Sequence, residues 1–369
     1  MRTWQNKEIE VEEFKEWPKV AIIVLNWNGW KDTIECLESV FRNSYPNYQV
    51  VVVDNGPTND SVERIKAWAK GKQEVLTPES THPLYYLSHP PVQKSIPYIE
   101  YDRKTAEAGG LPKKEKSLYE KLPDSIPHPM VLIQTGDNLG FAGGNNVGMR
   151  YTLAKNDFGY IWLLNNDMVI DKAALSFLLK KCRNDNRVGV VGSKVLQYYK
   201  PTIIQTAGGG KLLPCIGIEK GIGENEEDKG LWNREIAIDY VSGASFFIRS
   251  NVIDCVGLMD DSYFLFWEET DWCERIKRRG WKLAYSWESK VWHKGSSSVK
   301  AKSFIQDYYG SRNGVVFLRR YYKKCWIVGV FISFAGKIFN RIRRGNWVGL
   351  RAVVKAYVDA FLFYDKKGD

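Results

Sequence analysis

The chain is poor in the residues that build metal clusters and covalent frameworks. It has four histidines and six cysteines among 369 residues. The cysteines (Cys36, Cys182, Cys215, Cys255, Cys273 and Cys325) show no C-x-x-C spacing, which argues against a zinc site and against a disulfide framework. Reduced thiols in a cytosolic compartment are the simpler expectation. Long apolar runs are also missing. In the C-terminal stretch the longest uncharged run, Cys325 to Gly336, has 12 residues, whereas a helix that crosses a bilayer takes ~20. Met1 to Glu8 lacks the apolar h-region of a signal peptide. Neither G-x-G-x-x-G nor a Walker loop occurs, which disfavours a dinucleotide-dependent dehydrogenase and a P-loop ATPase. No Ser–His or Cys–His pair stands out as a nucleophile and its base.

Charge of one sign is missing from most of the chain. Residues 301–369 hold 14 Lys/Arg and 4 Asp/Glu and so carry the whole net charge of +10; the remainder holds 39 of each sign. A nucleic-acid-binding protein should spread its basic footprint over the working domain, so no nucleic-acid partner is expected. The charge belongs to a basic C-terminal appendage.

What is present reads as a polar lead-in (1–19) followed by strands and helices in alternation. Val20 to Leu25 is a β-branched run with the character of a strand buried on both faces, and it ends in Asn26-Trp27-Asn28-Gly29. Asp32 and Glu35 have capping-box spacing and open a helix with Ile34, Leu37, Val40 and Phe41 on one face. Gln49 to Val53 is a second strand ending in Asp54-Asn55-Gly56, and a second helix runs from about Ser61 to Gly71. Carboxylates at strand tips in a strand–helix alternation predict a parallel, doubly wound sheet.

Residues 71–130 break the rhythm. They carry nine of the 14 prolines and three of the four histidines (His82, His89, His128), with no sustained period, and read as an insertion running over the surface with solvated histidines. The pattern resumes with Met130 to Ile133 and a glycine-rich stretch, Asn138-Leu139-Gly140-Phe141-Ala142-Gly143-Gly144-Asn145. Glycines there allow close backbone approach, and N–H groups at a helix start suit an anion. Tyr160 to Leu164 is another buried strand, cut off by Asn165-Asn166-Asp167. A helix from Asp171 and a strand from Val188 follow, then a glycine-rich, irregular stretch over 200–235.

The last constellation spans 239–298. Ser242-Gly243-Ala244 is a tight turn feeding a strand, and the aromatic run Tyr263 to Trp267 ends in Glu268, Glu269 and Asp271 at the start of a short helix. Acids in a first turn and bases in a last turn also complement a helix dipole, so each of these acids has a purely structural reading beside the chemical one. Lys282 to Trp292 alternates as a strand and delivers His293.

In this order Asn26-Trp27-Asn28-Gly29, Asp54-Asn55, Asn138 to Asn145, Asn165-Asn166-Asp167, Ser242-Gly243-Ala244, Glu268-Glu269-Thr270-Asp271-Trp272 and Trp292-His293 resemble the inverting glycosyltransferases of family 2, in particular rhamnosyltransferase-like and galactofuranosyltransferase-like members. The resemblance covers roughly 20–70 and 131–298. It implies the GT-A fold: α/β, a Rossmann-like, mostly parallel central sheet flanked by helices over 20–298, with a helical basic extension over 299–369. It implies that Leu25, Asn26, Asn28 and Asp54 line the nucleotide pocket, with Asp54 reading the base, and that Asn138, Gly140, Gly144 and Asn145 pass by the nucleotide and diphosphate. Asn165-Asn166-Asp167 stands where the family has Asp-x-Asp. Asp167 and His293 are then the ligands of a Mn²⁺ or Mg²⁺ cofactor, and Asn165 and Asn166 face the donor. Glu269 falls at the catalytic base, with Glu268 as substitute. Asp271 matches a position associated with the acceptor hydroxyl, where Gly243, Ala244 and Trp267 are also expected. Two departures stand out: Asn165 replaces the first Asp, and Glu269 replaces an Asp.

These roles imply a nucleotide-diphosphate sugar donor (dTDP-rhamnose or a UDP-sugar), a glycan or lipid-linked acceptor, and a metal-assisted single displacement. A Glu with an ordinary pKa of about 4.3 at a helix N-terminus is expected to be ionised. A non-catalytic carbohydrate-binding protein and a nucleotidyltransferase on a similar sheet are the rival readings. In the tail, Arg319-Arg320, Lys323-Lys324 and Arg341, Arg343-Arg344 flank apolar residues, which predicts helices lying on an anionic membrane surface. That reading implies a cytoplasmic enzyme, peripheral on the inner face of the cell membrane.

Overall fold

The structure is a computed structural model that describes residues 17–295 and 304–362, except 57, 76, 77, 125 and the side chain of Ile216. Most of the lead-in (1–16) and Ser296-Ser297-Ser298 lie outside the described residues. In the first half, strands β1 (Val20–Asn26) and β2 (Tyr48–Asp54) alternate with helices α1 (Trp30–Val40) and α2 (Ser61–Ala69). Then come β3 (Tyr98–Asp102), α3 (Arg103–Glu107), α4 (Pro112–Tyr119), β4 (Met130–Gln134), α5 (Gly140–Lys155), β5 (Tyr160–Asn165), β6 (Met168–Ile170) and α6 (Ala174–Asn184). The second half holds β7 (Val188–Gln197), β8 (Lys200–Ala207), β9 (Gly209–Leu213), β10 (Ile218–Gly221), β11 (Tyr240–Val241), β12 (Ser245–Arg249), α7 (Ser250–Val256), α8 (Glu268–Arg278) and β13 (Lys282–His293). Helices α9 (Phe304–Tyr321), α10 (Trp326–Arg343) and α11 (Trp347–Leu362) form the tail.

The unbroken apolar runs have a direct explanation. Successive side chains of a strand point to opposite faces. Val20, Ile22 and Val24 enter one core, while Ala21 and Ile23 enter the other. Val50 and Val52 separate from Val51 and Val53 in the same way, and Trp162 and Leu164 from Ile161 and Leu163. A strand with helices over both faces has no solvent side, so no polar alternation appears.

The main sheet runs β3-β4-β2-β1-β5-β12-β7-β13-β6, with β8 on β7. The first five strands are parallel, as is the β7–β13 pair; β12, β6 and β8 are antiparallel additions. The order in which strands are added reverses between β1 and β5, the place where open α/β sheets bind ligands beyond the strand ends. Register brings Asn26 beside Asp54 and Leu25 beside Asn165 there. β6 starts right after the Asn166-Asp167 turn yet pairs with β13, matching Met168 to His293.

Four local expectations are corrected. The stretch 71–130 is docked and contributes β3 to the sheet edge. Glu38 carries part of that docking, accepting from Val92 N at 2.7 Å and Lys94 Nζ at 2.8 Å. Its His128 is not solvated: both ring nitrogens are bonded, to Tyr119 and Asn47 at 2.8 Å, and burial pushes its pKa down to about 4. The stretch 200–235 is not irregular but builds β8, β9 and β10. Asp32 and Glu35 do not cap α1, which starts at Trp30; both carboxylates hold Lys294 instead.

The tail is packed against the body. Tyr263 and Trp267 share a core with Val315, Phe317, Leu318 and Val353. Asn313 Nδ2 lies 2.8, 2.9 and 2.8 Å from the carbonyl oxygens of Tyr263, Leu265 and Phe266. That grip matters because Phe264, Phe266 and Trp267 all have positive φ (63°, 67° and 75°), a backbone state that costs a bulky residue free energy unless its surroundings enforce it. Phe141 N adds a bond of 2.7 Å to the Phe264 carbonyl. Gly140 makes this approach possible: its φ is +72°, and a Cβ there would lie 2.3 Å from that same oxygen. Gly140→Ala should therefore cost about 2–3 kcal/mol of stability, from a left-handed alanine and a displaced carbonyl. Denaturant unfolding of the variant measures it, and a loss under about 0.5 kcal/mol would mean that the loop has slack.

Candidate active site

The strand tips are tied to one another by side chains. Asn26, fully buried, donates to Asp54 Oδ1 at 2.6 Å and accepts from Thr33 Oγ1 at 2.9 Å and Gly29 N at 3.2 Å. Asp54 is also fully buried, and its second oxygen, Oδ2, has no hydrogen-bond partner. Burial pushes its pKa up to about 6, opposed by the Asn26 bond. A buried carboxylate oxygen without a donor marks a place where a ligand N–H fits. Asn28, at φ 56°, exchanges bonds with Thr58 (2.8 and 3.1 Å) and fixes the neighbouring loop.

The Asn138–Asn145 stretch divides. Asn138 Oδ1 accepts from Gly140 N at 3.0 Å and from Asn55 Nδ2 at 3.2 Å, so the loop edge sits beside the Asp54 tip. Gly144 and Asn145 turn inward. A Cβ on Gly144 would lie 2.5 Å from Leu25 Cδ1, and Asn145 donates to the Phe141 carbonyl within its own helix. Their residue types serve helix-to-strand packing, with Leu25 as the partner. Asn166 is likewise turned into the fold, donating to Thr33 Oγ1 at 3.0 Å and the Gly29 carbonyl at 3.3 Å. Asn165 N donates to the Ala244 carbonyl at 3.1 Å, joining the tip to the Gly243-Ala244 turn.

Asp167 and His293 meet. His293 Nε2 is 3.0 Å from Asp167 Oδ1, and His293 Nδ1 donates to Gln205 Oε1 at 2.9 Å. With Nδ1 as the donor, a neutral ring would turn its Nε2 lone pair toward that carboxylate, and Nε2 makes no hydrogen bond. Such a nitrogen–oxygen donor pair would suit a divalent cation such as Mn²⁺ or Mg²⁺. Gln205 on β8 is the outer partner that fixes the tautomer. Among the described residues no group of three or more His, Cys, Asp or Glu side chains forms a metal cluster. Other ligands would have to come from a substrate and water. Lys294 N donates to the Asp167 carbonyl at 3.0 Å, and its ammonium pairs with Asp32 (2.7 Å) and Glu35 (2.5 Å). Burial alone would lower the Lys294 pKa, but Glu35 and Asp32 raise it above the usual range.

The acids at the start of α8 have separate fates. Glu269 lies against Gly243: a Cβ there would come 3.3 Å from Glu269 Oε1. Its Oε2 has no partner. Burial raises the Glu269 pKa, against the Gly243 and Glu269 backbone N–H groups that favour the charged form. The expectation that the helix N-terminus leaves this carboxyl at an ordinary pKa is therefore corrected. Glu268 is buried more deeply and is pushed well above the usual range by desolvation and then by the charge of Glu269. Asp271 is fully enclosed, bonded to Tyr263 (3.1 Å), Arg275 (2.8 Å), Arg320 (3.0 Å) and Tyr321 (2.8 Å). Arg320 and Tyr321 bind α8 to the tail, and the four partners together leave Asp271 no face toward an acceptor. Trp267 donates to the Gly310 carbonyl and packs on Phe317, so its ring is a core element rather than a sugar platform.

Sequence reasoning missed Gln205, Lys294 and Glu219. Glu219 accepts from Thr270 Oγ1 at 2.5 Å, and burial, then the charge of Glu269, pushes its pKa up to about 8. Its signal was Ile218-Glu219-Lys220, a strand with its acid inward and its isoleucine exposed, hidden in a glycine-rich stretch.

Residues 21–80 match the family model described as Glycosyl transferase family 2. Among curated proteins, the low-salt glycan biosynthesis hexosyltransferase Agl10 of Haloferax volcanii is 26% identical over 147 residues, 40% of this chain and 46% of that protein. The chain thus spans about half the length of that relative. The dTDP-rhamnosyl transferase RfbF of Shigella flexneri is 26% identical over 221 residues, 55% of this chain and 67% of that one. Two solved structures share the fold over 94% of this chain, each at 12% identity. The mannosyltransferase PcManGT from Pyrobaculum calidifontis, with GDP-Man and Mn²⁺, has a TM-score of 0.51 over 76% of its length. GalNAc-T7, with UDP, GalNAc and Mn²⁺, has 0.55 over 55%. The mixed sheet and these likenesses show that the chain has the GT-A fold, and its residues 21–80 are similar to glycosyltransferase family 2.

Proposed function

We propose that the chain transfers a sugar, with inversion, from a nucleotide-diphosphate donor to a hydroxyl of a glycan or lipid-linked acceptor. One observation carries the reading. Three carboxylates with separate tasks lie along one sheet edge: Asp54 with a free buried oxygen, Asp167 against His293, and Glu269 with a free oxygen beside Gly243. RfbF makes dTDP-rhamnose the first donor to try, and a UDP-sugar the second.

In this mechanism Asp54 accepts from the base, and the Asn138–Gly140 edge, Asn28 and Asn165 border the nucleotide and sugar. Asp167 and His293 would hold a Mn²⁺ or Mg²⁺, the imidazole favouring Mn²⁺. When bound, the ion stabilises the charge that the leaving diphosphate gains. Glu269 takes the proton of the acceptor hydroxyl as it attacks opposite the leaving group. Its raised pKa makes it the stronger base once ionised. A single displacement needs no enzyme nucleophile. Asp271 and Trp267 act at one remove, by fixing α8.

The tail is proposed to rest on an anionic membrane surface, on the cytoplasmic side. No helix among the described residues is long and apolar enough to cross a membrane. Yet Ile327, Val328, Phe331, Phe339 and Ile342 on α10 and Trp347 and Val348 on α11 are each more than half exposed. Arg343 and Arg344 lie among them. Such a surface combines burial in the headgroup region with attraction to anionic lipid.

Nucleotide release from a panel of nucleotide sugars with Mn²⁺, with and without glycan acceptor, tests the activity. Acceptor-stimulated release is expected, and it should be lost on chelation. Acceptor-independent binding without release would favour a lectin-like role. Glu269→Gln should lower turnover at least about a thousandfold with donor affinity retained. The wild-type rate should fall in acid with a midpoint above the ordinary Glu value of about 4.3. Near-normal turnover in the variant would reassign the base to Glu268.

Asp54→Asn separates stability from binding. The folded pKa of Asp54 is raised, so its stability contribution is present in full below its unfolded value and is lost as pH rises through about 6. The variant should therefore be more stable than wild type at pH 8, with the advantage gone by about pH 4, while its nucleotide affinity drops. Melting curves at the two pH values check this; an equal or lower melting point at pH 8 would refute it. For the tail, the full chain should pellet with vesicles containing anionic lipid, in a salt-sensitive way. The Phe331→Ser/Phe339→Ser double variant, changed at residues 70% and 68% exposed, should stay in solution. Co-sedimentation of the variant at the wild-type level would remove α10 from the membrane contact.

A further inference from the structure

Outside the strand-tip site, a cavity of about 590 Å³ lies between α9 and α10. Lys337, Arg341 and Arg344 line it together with Gln306, Ser311 and Asn346. Asp307 is its one carboxylate, and Arg341 already pairs with it. Two positive charges are left over. The Lys337 ammonium bonds only neutral oxygens, the Gly310 carbonyl and Ser311 Oγ, both at 3.2 Å. Burial, and then Arg341, push its pKa down to about 8, the mark of a cation short of a counter-charge. Arg344 is exposed, and among the described residues its guanidinium makes no hydrogen bond or ion pair. A pocket that collects cations and leaves them unpaired is complementary to a phosphate-class anion, for which an arginine fork and a lysine point charge are suited partners.

Its position narrows the source of that anion. The walls are the tail helices whose outer side carries Phe331 and Phe339. On the inner side, the Gly310 carbonyl of its lining accepts from Trp267 Nε1 at 3.2 Å, two residues before Glu269. The cavity thus lies between the apolar surface and the base. We propose that it holds the phosphate or diphosphate of a lipid-linked acceptor, with the lipid chain toward the exposed face of α10 and the sugar hydroxyl toward Glu269. This rests on the glycosyltransferase reading and adds the acceptor's anionic linkage to it.

The test uses the full chain and farnesyl diphosphate as a soluble probe, followed by calorimetry beside inorganic pyrophosphate. Saturable binding is expected, tighter for farnesyl diphosphate than for pyrophosphate. Each of Arg344→Gln and Lys337→Gln should weaken it about tenfold, the loss of one charge-assisted contact. Arg344→Gln changes an exposed side chain and keeps the test valid if Lys337→Gln proves unstable. Equal affinity for the two probes would overturn the lipid-linked source, and wild-type affinity in Arg344→Gln would overturn the site. Nucleotide-sugar binding by the wild-type protein is measured separately. Its absence would sink the glycosyltransferase reading, whereas intact donor binding with unchanged farnesyl diphosphate affinity in the variant sinks this inference alone.

Discussion

The site depends on a lysine that takes no part in the chemistry. Lys294 leaves the end of β13 with its ammonium between Asp32 and Glu35 on α1, and its backbone N–H on the Asp167 carbonyl. The ammonium is poorly solvated, and two carboxylates compensate for that. The result is geometric. Helix α1 follows the strand that carries Asn26, β13 carries His293, and the Asn166-Asp167 turn lies between the two. One buried cation therefore sets the distance at which imidazole and carboxylate face each other. Tyr198, which donates to Glu35 at 2.7 Å, extends the same lock to the strand pair that holds Gln205.

The second constraint is backbone strain. Three aromatic residues in unfavourable conformations, Phe264, Phe266 and Trp267, lead into α8, and a single amide, Asn313, gathers the carbonyl oxygens of Tyr263, Leu265 and Phe266 in the same segment. An isolated loop would relax. Here it is held from the tail side by Asn313 and from the nucleotide side by Phe141 N, so the first turn of α8 is presented rigidly. That turn then brings Glu268 and Glu269 close enough for one charge to suppress the other. Both acids are pushed up by burial, and Glu268, the more deeply buried, also by the charge of Glu269, so the difference between them is set by position and not by residue type.

Much of this was legible in the sequence, and for a physical reason. Strands covered on both faces, such as Val20–Asn26 and Tyr160–Asn165, must be apolar throughout, so their ends show as abrupt polar steps; those steps are the tips that form the candidate site. The Asp167 and His293 pairing could be inferred only by resemblance, since β6 joins β13 through a sheet closure that no local pattern encodes. Local reasoning failed where a residue answers to a distant partner. Asp32 and Glu35 have capping-box spacing, yet the partner of Asp32 is 262 residues away. Asp271 has the i,i+4 spacing of a helix pair with Arg275, which conceals the contacts with Arg320 and Tyr321. β8 to β10 escaped notice because their glycines serve close approach: a Cβ on Gly209 would lie 1.9 Å from the Tyr240 carbonyl oxygen.

The grip of Asn313 and Arg320 on the body bears on what counts as a unit of this protein. The motifs that carry the family resemblance end before residue 298, which invites a boundary between a core and an appendage. The forces lie elsewhere. A chain cut at that point would leave Asp271 as a buried carboxylate short of two partners, and would release the three carbonyl oxygens that Asn313 holds together with the ring faces of Tyr263 and Trp267. Unfolding should therefore be concerted across α8 and α9, with amide protection in the two helices lost together. The tail is the last piece of the active-site scaffold, and its basic and apolar outer surface is built upon a structural role that comes first.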